Sequence, residues 1–172
     1  MDKISIVVPC YNEEEALEYF YTEMKKVMKK MKEVAFELLF VDDGSEDQTL
    51  AMLRKMAELD PRCRYLSFSR NFGKEAAIYA GLSHASGNYV AIMDADLQDP
   101  PELLPEMYQM LYWENWDCVA ARRKNREGEP RLKSFLSDCF YKVINKLSKI
   151  QLVSGARDFR MMTRRMVNGV LQ

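Results

Sequence analysis

Tyr89-Val90-Ala91-Ile92-Met93-Asp94-Ala95-Asp96-Leu97-Gln98-Asp99 sets an unbroken apolar run directly against alternating aspartates. An apolar run without polar alternation is what a strand covered on both faces needs, and strands of parallel α/β sheets are covered that way. The carboxylates arrive where the strand ends. Alternate residues there point the same way, so Asp94 and Asp96 can converge on one cation while Ala95 faces away. Hard oxygen donors with open positions suit Mg²⁺ or Mn²⁺ shared with phosphate oxygens. The plainer alternative is a solvated acidic loop. The apolar residues before Asp94, which should bury the strand end, weigh against it.

Outward from this stretch the same strand-then-loop unit repeats. Residues 4–10 (ISIVVPC) form a second such run, followed by Tyr11-Asn12-Glu13. A helix is expected over 13–32, with Asn12 as its N-cap and Glu13 to Glu15 favoured by the helix dipole. Residues 36–41 (FELLFV) predict a strand that ends in Asp42-Asp43-Gly44, and Ser45-x-x-Gln48 reads as a capping box opening the next helix, to about Asp60. A third strand is expected over 64–69, a third helix over 73–85, a helix from Pro100 to about Glu114, and a fifth strand over 118–121. Alternation at these lengths means βαβ units with right-handed crossovers: an α/β fold with a mainly parallel sheet and helices on both faces. Ligands of such sheets bind beyond the carboxyl ends of the strands.

The loops at those ends carry the polar chemistry. Adjacent carboxylates repel and lose hydration if buried, so Asp42 and Asp43 need a partner: a metal, a ribose or base donor, or a backbone turn. A capped turn by itself would use one acid, which favours a functional role for the pair. Gly44 permits close backbone approach, and Ser45 opens a helix whose N-terminus favours a phosphate. Tyr11, an aromatic at a strand exit, can line a base pocket.

Composition narrows the class without deciding it. The 172 residues suit one domain, 48% hydrophobic and 30% charged, and a net charge of −1 gives no argument for a nucleic-acid partner. Cys10, Cys63, Cys118 and Cys139 match no zinc or C-x-x-C spacing and read as buried free thiols in a reducing compartment. No signal peptide opens the chain, and no stretch approaches the ~20 apolar residues of a membrane span. The expectation is a soluble cytoplasmic polypeptide. Residues 168–172 stop inside an apparent helix, which reads as a truncated chain. His84 falls late in the third helix and reads as a surface residue, while Trp113 and Trp116 are expected to pack at the end of the fourth.

Four motifs together carry a resemblance: Pro9-Cys10-Tyr11-Asn12-Glu13-Glu14, Val41-Asp42-Asp43-Gly44-Ser45, Asp94-Ala95-Asp96-Leu97-Gln98-Asp99-Pro100-Pro101 and Gly155-Ala156-Arg157-Asp158-Phe159-Arg160. In order and spacing, over nearly the whole chain, the sequence resembles glycosyltransferase family 2, and most of all its polyprenyl-phosphate glycosyltransferases. The resemblance implies a GT-A fold, a UDP- or GDP-sugar donor, a divalent metal and inversion at the anomeric carbon. It assigns Pro9, Tyr11, Glu13 and Asp42 to the nucleoside, with Asp43 beside them. Asp94 and Asp96 match the D-x-D metal and diphosphate ligands, with Ala95 inside the same donor motif and Gln98 at an auxiliary metal position. Arg70, Asn71 and Gly73 match a family stretch after the third strand, where Arg70 and Lys74 are either diphosphate contacts or surface charge.

The resemblance also divides the chain at residues 1–121, the nucleotide-sugar part, and 122–172, the acceptor loop, amphipathic helix and catalytic-aspartate segment. Arg122, Arg126 and Arg131 fall where the family grips a lipid phosphate. Leu132, Phe135, Leu136, Cys139, Phe140 and Val143 then recur at helical spacing, with Lys133, Lys142, Lys146 and Lys149 off the stripe. Such a helix packs on its own domain, lies on a membrane surface, or meets transmembrane helices. The family reading puts the full-length protein on the cytoplasmic face of the membrane through C-terminal segments. Asp158 matches the family's base, with Asp96 as the second catalytic acid and Arg157 and Arg160 as partners of Asp158. A polyprenyl monophosphate has a second pKa of about 6 and is already an oxyanion, so Asp158 either removes a proton or orients the acceptor. Three alternatives stay open: a module that binds nucleotide sugar without turnover, a transferase that elongates a polysaccharide, and a phosphoacceptor receiver domain. The last needs its acid pair after the first strand, whereas here the pair follows the second. Homo-oligomerisation is compatible with the sequence.

Overall fold

The computed structural model describes residues 1–122 and 156–172. The chain divides into two units, Met1–Ala120 with Asp158–Gln172, and Ala121–Arg157. Most of the second unit, including Arg126, Arg131, Cys139 and the expected basic helix, lies outside the described residues.

The elements run β1 (Asp2–Cys10), α1 (Leu17–Lys30), β2 (Val34–Asp42), α2 (Thr49–Leu59), β3 (Cys63–Ser67), α3 (Lys74–His84), β4 (Tyr89–Ile92), a 3₁₀ turn (Pro101–Leu103), α4 (Leu104–Trp113), β5 (Cys118–Arg122), β6 (Ala156–Thr163) and α5 (Arg164–Val170). The described strands form one sheet in the order β3-β2-β1-β4-β6-β5. β1 is parallel to both β2 and β4, and β2 to β3, so all four direct their carboxyl ends to one edge. The continuous apolar runs are explained by this placement. Residues 4–10 of β1 and 38–42 of β2 are all buried, since helices cover both faces. On one face Val7, Leu39, Leu82, Val90, Ile92, Met162 and Val167 form a single cluster. α3 lies so close to β1 that a Cβ at Gly81 would overlap the Val7 side chain.

A polar knot ties the strands together inside this core. Glu37 on β2 is 2% exposed, and its carboxylate accepts from the Ser5 hydroxyl, the Ser86 amide (3.0 Å), the Ser86 hydroxyl (3.0 Å) and Arg64 Nη1 (2.6 Å). Burial pushes this carboxyl up, but the hydrogen bonds from Ser5, Ser86 and Arg64 outweigh it and hold Glu37 down at about 2. Gly87 N–H donates to Ser5 Oγ and Arg164 donates to the Ala85 and Gly87 carbonyls, so the α3–β4 turn is fastened from three sides.

Several expectations are corrected. α1 begins four residues, and α2 three residues, later than the capping signals placed them. Asn12 is not the N-cap of α1, nor does Ser45 cap α2. The expected C-terminal helix is present as α5, and Leu171 after it packs against the core cluster. β6 was not expected as a strand at all, and it pairs antiparallel with β4. Cys10 and Cys63 are buried thiols, but Cys118 is exposed on β5. Trp113 and Trp116 do not pack away: they are 78% and 56% exposed.

Candidate functional site

Where the parallel strands end, their loops brace one another. Asn12 takes a left-handed conformation (φ 55°), donates its amide to Ser45 Oγ (3.0 Å) and accepts the Glu46 amide on Oδ1 (2.9 Å). The Glu13 amide donates to Thr49 Oγ1 (2.8 Å). The polar residues that looked like local helix caps are therefore spent on bonds between the β1 and β2 loops.

The neighbouring acids after β2 each hold a different segment. Asp42 is 1% exposed; it accepts the Ser45 amide (3.1 Å) and the Ser67 hydroxyl (2.9 Å). Asp43 is 3% exposed; it accepts the Phe72 amide on one oxygen (2.7 Å) and the Gly73 amide on the other (2.9 Å). The turn itself uses one of the pair, as the sequence suggested, and the second acid has a backbone partner elsewhere. One acid closes its own turn and joins β3, and the other clamps the loop into α3. Gly44 between these contacts has φ +70°, and a Cβ there would collide with the backbone of Arg70. Only glycine combines that conformation with so close a crossing.

The loops enclose a cleft of about 280 Å³. Of the residues singled out from sequence, Pro9, Tyr11, Glu13, Asp43, Lys74, Asp94 and Asp96 line it, together with Cys10, Asn71 and Gly73. Asp42 lies beneath it with both oxygens engaged. Ala95 is 1% exposed, buried in the turn after β4, and it does not line the cleft. Arg70 sits over the Phe72 ring at 4.8 Å rather than in the lining, and Gln98 donates its amide to Asp96 Oδ1 (3.1 Å). Arg122 is an exposed residue at the end of β5. A larger groove of about 600 Å³ opens at the other end of the strands around Tyr108, Tyr112 and Trp113. Its Asp2 carboxylate is occupied by the Tyr108 hydroxyl (2.8 Å).

One contact ties the cleft's charges to the last strand. Lys74 Nζ, on the first residue of α3, lies 2.7 Å from Asp94 Oδ1 and 2.7 Å from Asp158 Oδ2. Arg160 stands 3.7 Å from the other Asp158 oxygen, the partner role expected for it. The Lys74 hydrogen bond, together with the Lys74 and Arg160 charges, holds Asp158 below the ordinary carboxylate value against the opposing effect of burial. Burial works against the Lys74 charge, but its bonds to Asp158 and Asp94 more than compensate and raise its pKa. Glu13 is raised, first by burial and then by the charges of Asp96 and Asp94. The mouth of the cleft thus carries negative charge in excess. That fits a divalent cation held by Asp94 and Asp96. Among the described residues no three His, Cys, Asp or Glu side chains gather closely enough to hold an ion by themselves. Two carboxylates, with phosphate oxygens and water completing the shell, is the donor set Mg²⁺ and its relatives take alongside phosphorylated ligands.

The family model described as "Glycosyl transferase family 2" matches residues 5–171. The putative glycosyltransferase CsbB of Bacillus subtilis is 44% identical over 169 residues, 98% of this chain and 50% of that protein. The bactoprenol glucosyl transferase of Shigella phage SfV is 42% identical over 169 residues, 98% of this chain and 54% of that protein. The chain therefore spans about half the length of these curated relatives. Among solved structures, the mannosyltransferase PcManGT of Pyrobaculum calidifontis, in complex with GDP-Man and Mn²⁺, superposes with a TM-score of 0.70 at 22% identity, covering 98% of this chain and 46% of that one. Mannosyl-3-phosphoglycerate synthase of Rubrobacter xylanophilus gives 0.71 at 22% identity, over 96% of this chain and 54% of that one. The shared architecture is the GT-A fold.

Proposed function

The chain belongs to glycosyltransferase family 2, and from that premise we propose that it is the donor-binding and catalytic part of an enzyme that transfers a sugar from a nucleotide diphosphate to a polyprenyl phosphate. The observation that carries the reading is the cleft at the carboxyl ends of β1, β2 and β4, with Asp94 and Asp96 on its wall and Asp158 joined to it through Lys74. A relative named for bactoprenol glucosylation supports the acceptor class.

In this reading Pro9, Tyr11, Glu13 and the braced Asp42–Asp43 turn shape the nucleoside end of the cleft. Asp94 and Asp96 would hold Mg²⁺ or Mn²⁺, whose charge would offset that of the diphosphate; Lys74, in the same lining, would add positive charge there, with Arg70 nearby at the cleft's edge. An acceptor phosphate oxygen forms a bond to the anomeric carbon on the face opposite the leaving group. The bond from that carbon to the diphosphate breaks, and its electron pair leaves with the nucleoside diphosphate, inverting the centre. At neutral pH the acceptor already carries its oxyanion. Asp158, ionised and held by Lys74 and Arg160, therefore orients the acceptor or its arginines rather than taking a proton. Arg122, with Arg126 and Arg131 outside the described residues, would pair with the lipid phosphate. The full-length protein would then work at the cytoplasmic face of a membrane. Among the described residues no helix is long and apolar enough to cross one.

Thermal melting with UDP- and GDP-sugars, with and without Mn²⁺, tests the donor site. The expected result is a metal-dependent rise with one nucleotide class, lost in Asp94→Asn and Asp96→Asn. No metal-dependent rise with any of them would overturn the reading.

A further inference from the structure

We propose that Lys74 is a positioning residue that occupies Asp94 while the cleft is empty and exchanges that carboxylate for the donor's diphosphate when donor and metal bind. The inference rests on the function proposed above and concerns the order in which its charges change partners.

β4 and β6 pair antiparallel with Ile92 opposite Arg160. Carried two residues further, that register sets Asp94 opposite Asp158. Two like charges facing across neighbouring strands destabilise the pair. Lys74 resolves this. Its ammonium reaches Asp94 Oδ1 at 2.7 Å, Asp94 Oδ2 at 2.8 Å and Asp158 Oδ2 at 2.7 Å, so it takes both oxygens of the metal-site acid at once. A divalent cation on Asp94 would face a fixed positive charge at contact distance of the same oxygens. Lys74 must therefore leave Asp94 before that acid is available. It has the means, since its side chain is 39% exposed and ends a flexible four-carbon stem. A diphosphate in the cleft gives its ammonium a new acceptor, because Lys74 itself lines that cleft. Asp158, left with Arg160, would be freed toward the acceptor in the same event.

This predicts that Mn²⁺ alone binds poorly to the wild-type chain because Lys74 competes with it. Lys74→Met removes the competitor. Titration of Mn²⁺ alone, read by the electron paramagnetic resonance of the free ion, should show roughly 2- to 5-fold tighter binding to Lys74→Met than to wild type, the scale expected for a half-exposed ion pair. UDP or GDP in the presence of Mn²⁺ should bind the same variant more weakly than wild type. Lys74→Gln, which keeps an N–H donor for the acids without the charge, should show the same two shifts, and it serves if Lys74→Met does not fold. Lys74→Arg, which keeps the charge, should retain weak Mn²⁺ binding. Wild-type affinity for Mn²⁺ alone in both neutral variants overturns the exchange. A wild-type chain that binds Mn²⁺ neither alone nor with UDP or GDP overturns the donor-site reading itself. A side chain that merely supported the fold would not make metal binding tighter when removed.

Discussion

Replacing Glu37 by glutamine should remove one separable part of the chain's acid sensitivity without changing its fold. The carboxylate is 2% exposed and accepts hydrogen bonds from Ser5, Ser86 and Arg64, with the Lys3 ammonium at 3.6 Å. Its pKa falls from the ordinary 4.5 to about 2. A carboxyl depressed by folding binds its proton more weakly in the native state than in the unfolded chain. Its stabilising contribution is thus complete above about pH 4.5, shrinks as pH falls through the interval to about 2, and is absent below it. At 1.36 kcal/mol per pKa unit, that interval corresponds to stabilisation on the order of 3 kcal/mol. Urea unfolding of wild type and Glu37→Gln at pH 7, 5, 4 and 3 isolates this contribution, because every other group titrates in both proteins. The difference between the two should be constant from pH 7 to 5 and should narrow steadily below 4.5. Parallel pH profiles would refute the assignment of the acid sensitivity to Glu37.

Gly44→Ala should cost about 2 kcal/mol or more in urea unfolding, since alanine at φ +70° is strained and its methyl meets the Arg70 backbone. Gly169→Ala, where a Cβ meets nothing within 4 Å, is the control and should be neutral or stabilising by up to about 1 kcal/mol. Iodoacetamide labelling of the native chain, read by peptide mass spectrometry, should modify Cys118 well before Cys10 and Cys63. Burial shields the latter two and raises both thiols, Cys63 to about 12. Equal labelling of Cys10 and Cys118 would contradict the packing of β1.

How far the sequence discloses this molecule depends on whether an interaction is local. β1, β2 and β4 were legible because burial on both faces writes itself as a continuous apolar run, and their ends delivered the acids of the cleft. Helix starts were misplaced for the opposite reason. Asn12 and Ser45 have the chemistry of caps, but they bond to each other's loops 33 residues apart. β6 hid behind its composition. Residues 157–160 set three charged residues around a buried Phe159, a pattern that reads as a motif in a loop until β4 is known to lie beside it. Lys74, Asp94 and Asp158 were each identified singly. Their meeting needed the antiparallel pairing of β4 with β6, which has no counterpart in linear spacing. The fate of Asp42 and Asp43 was hidden likewise, because their partners Ser67, Phe72 and Gly73 lie on another strand and its exit.

The Asp43 clamp also sets the tempo at which the cleft responds. Both backbone amides before Lys74 end on one buried carboxylate, so the peptide immediately preceding that lysine is anchored to the floor of the sheet. Motion at this point is left to rotation about the lysine's own side-chain bonds, which takes place in picoseconds to nanoseconds, whereas rebuilding a loop takes far longer. The charge at the cleft wall is therefore mounted like a needle on a fixed pivot. In the proposed exchange its swing would require no rebuilding of the loop when a ligand arrives.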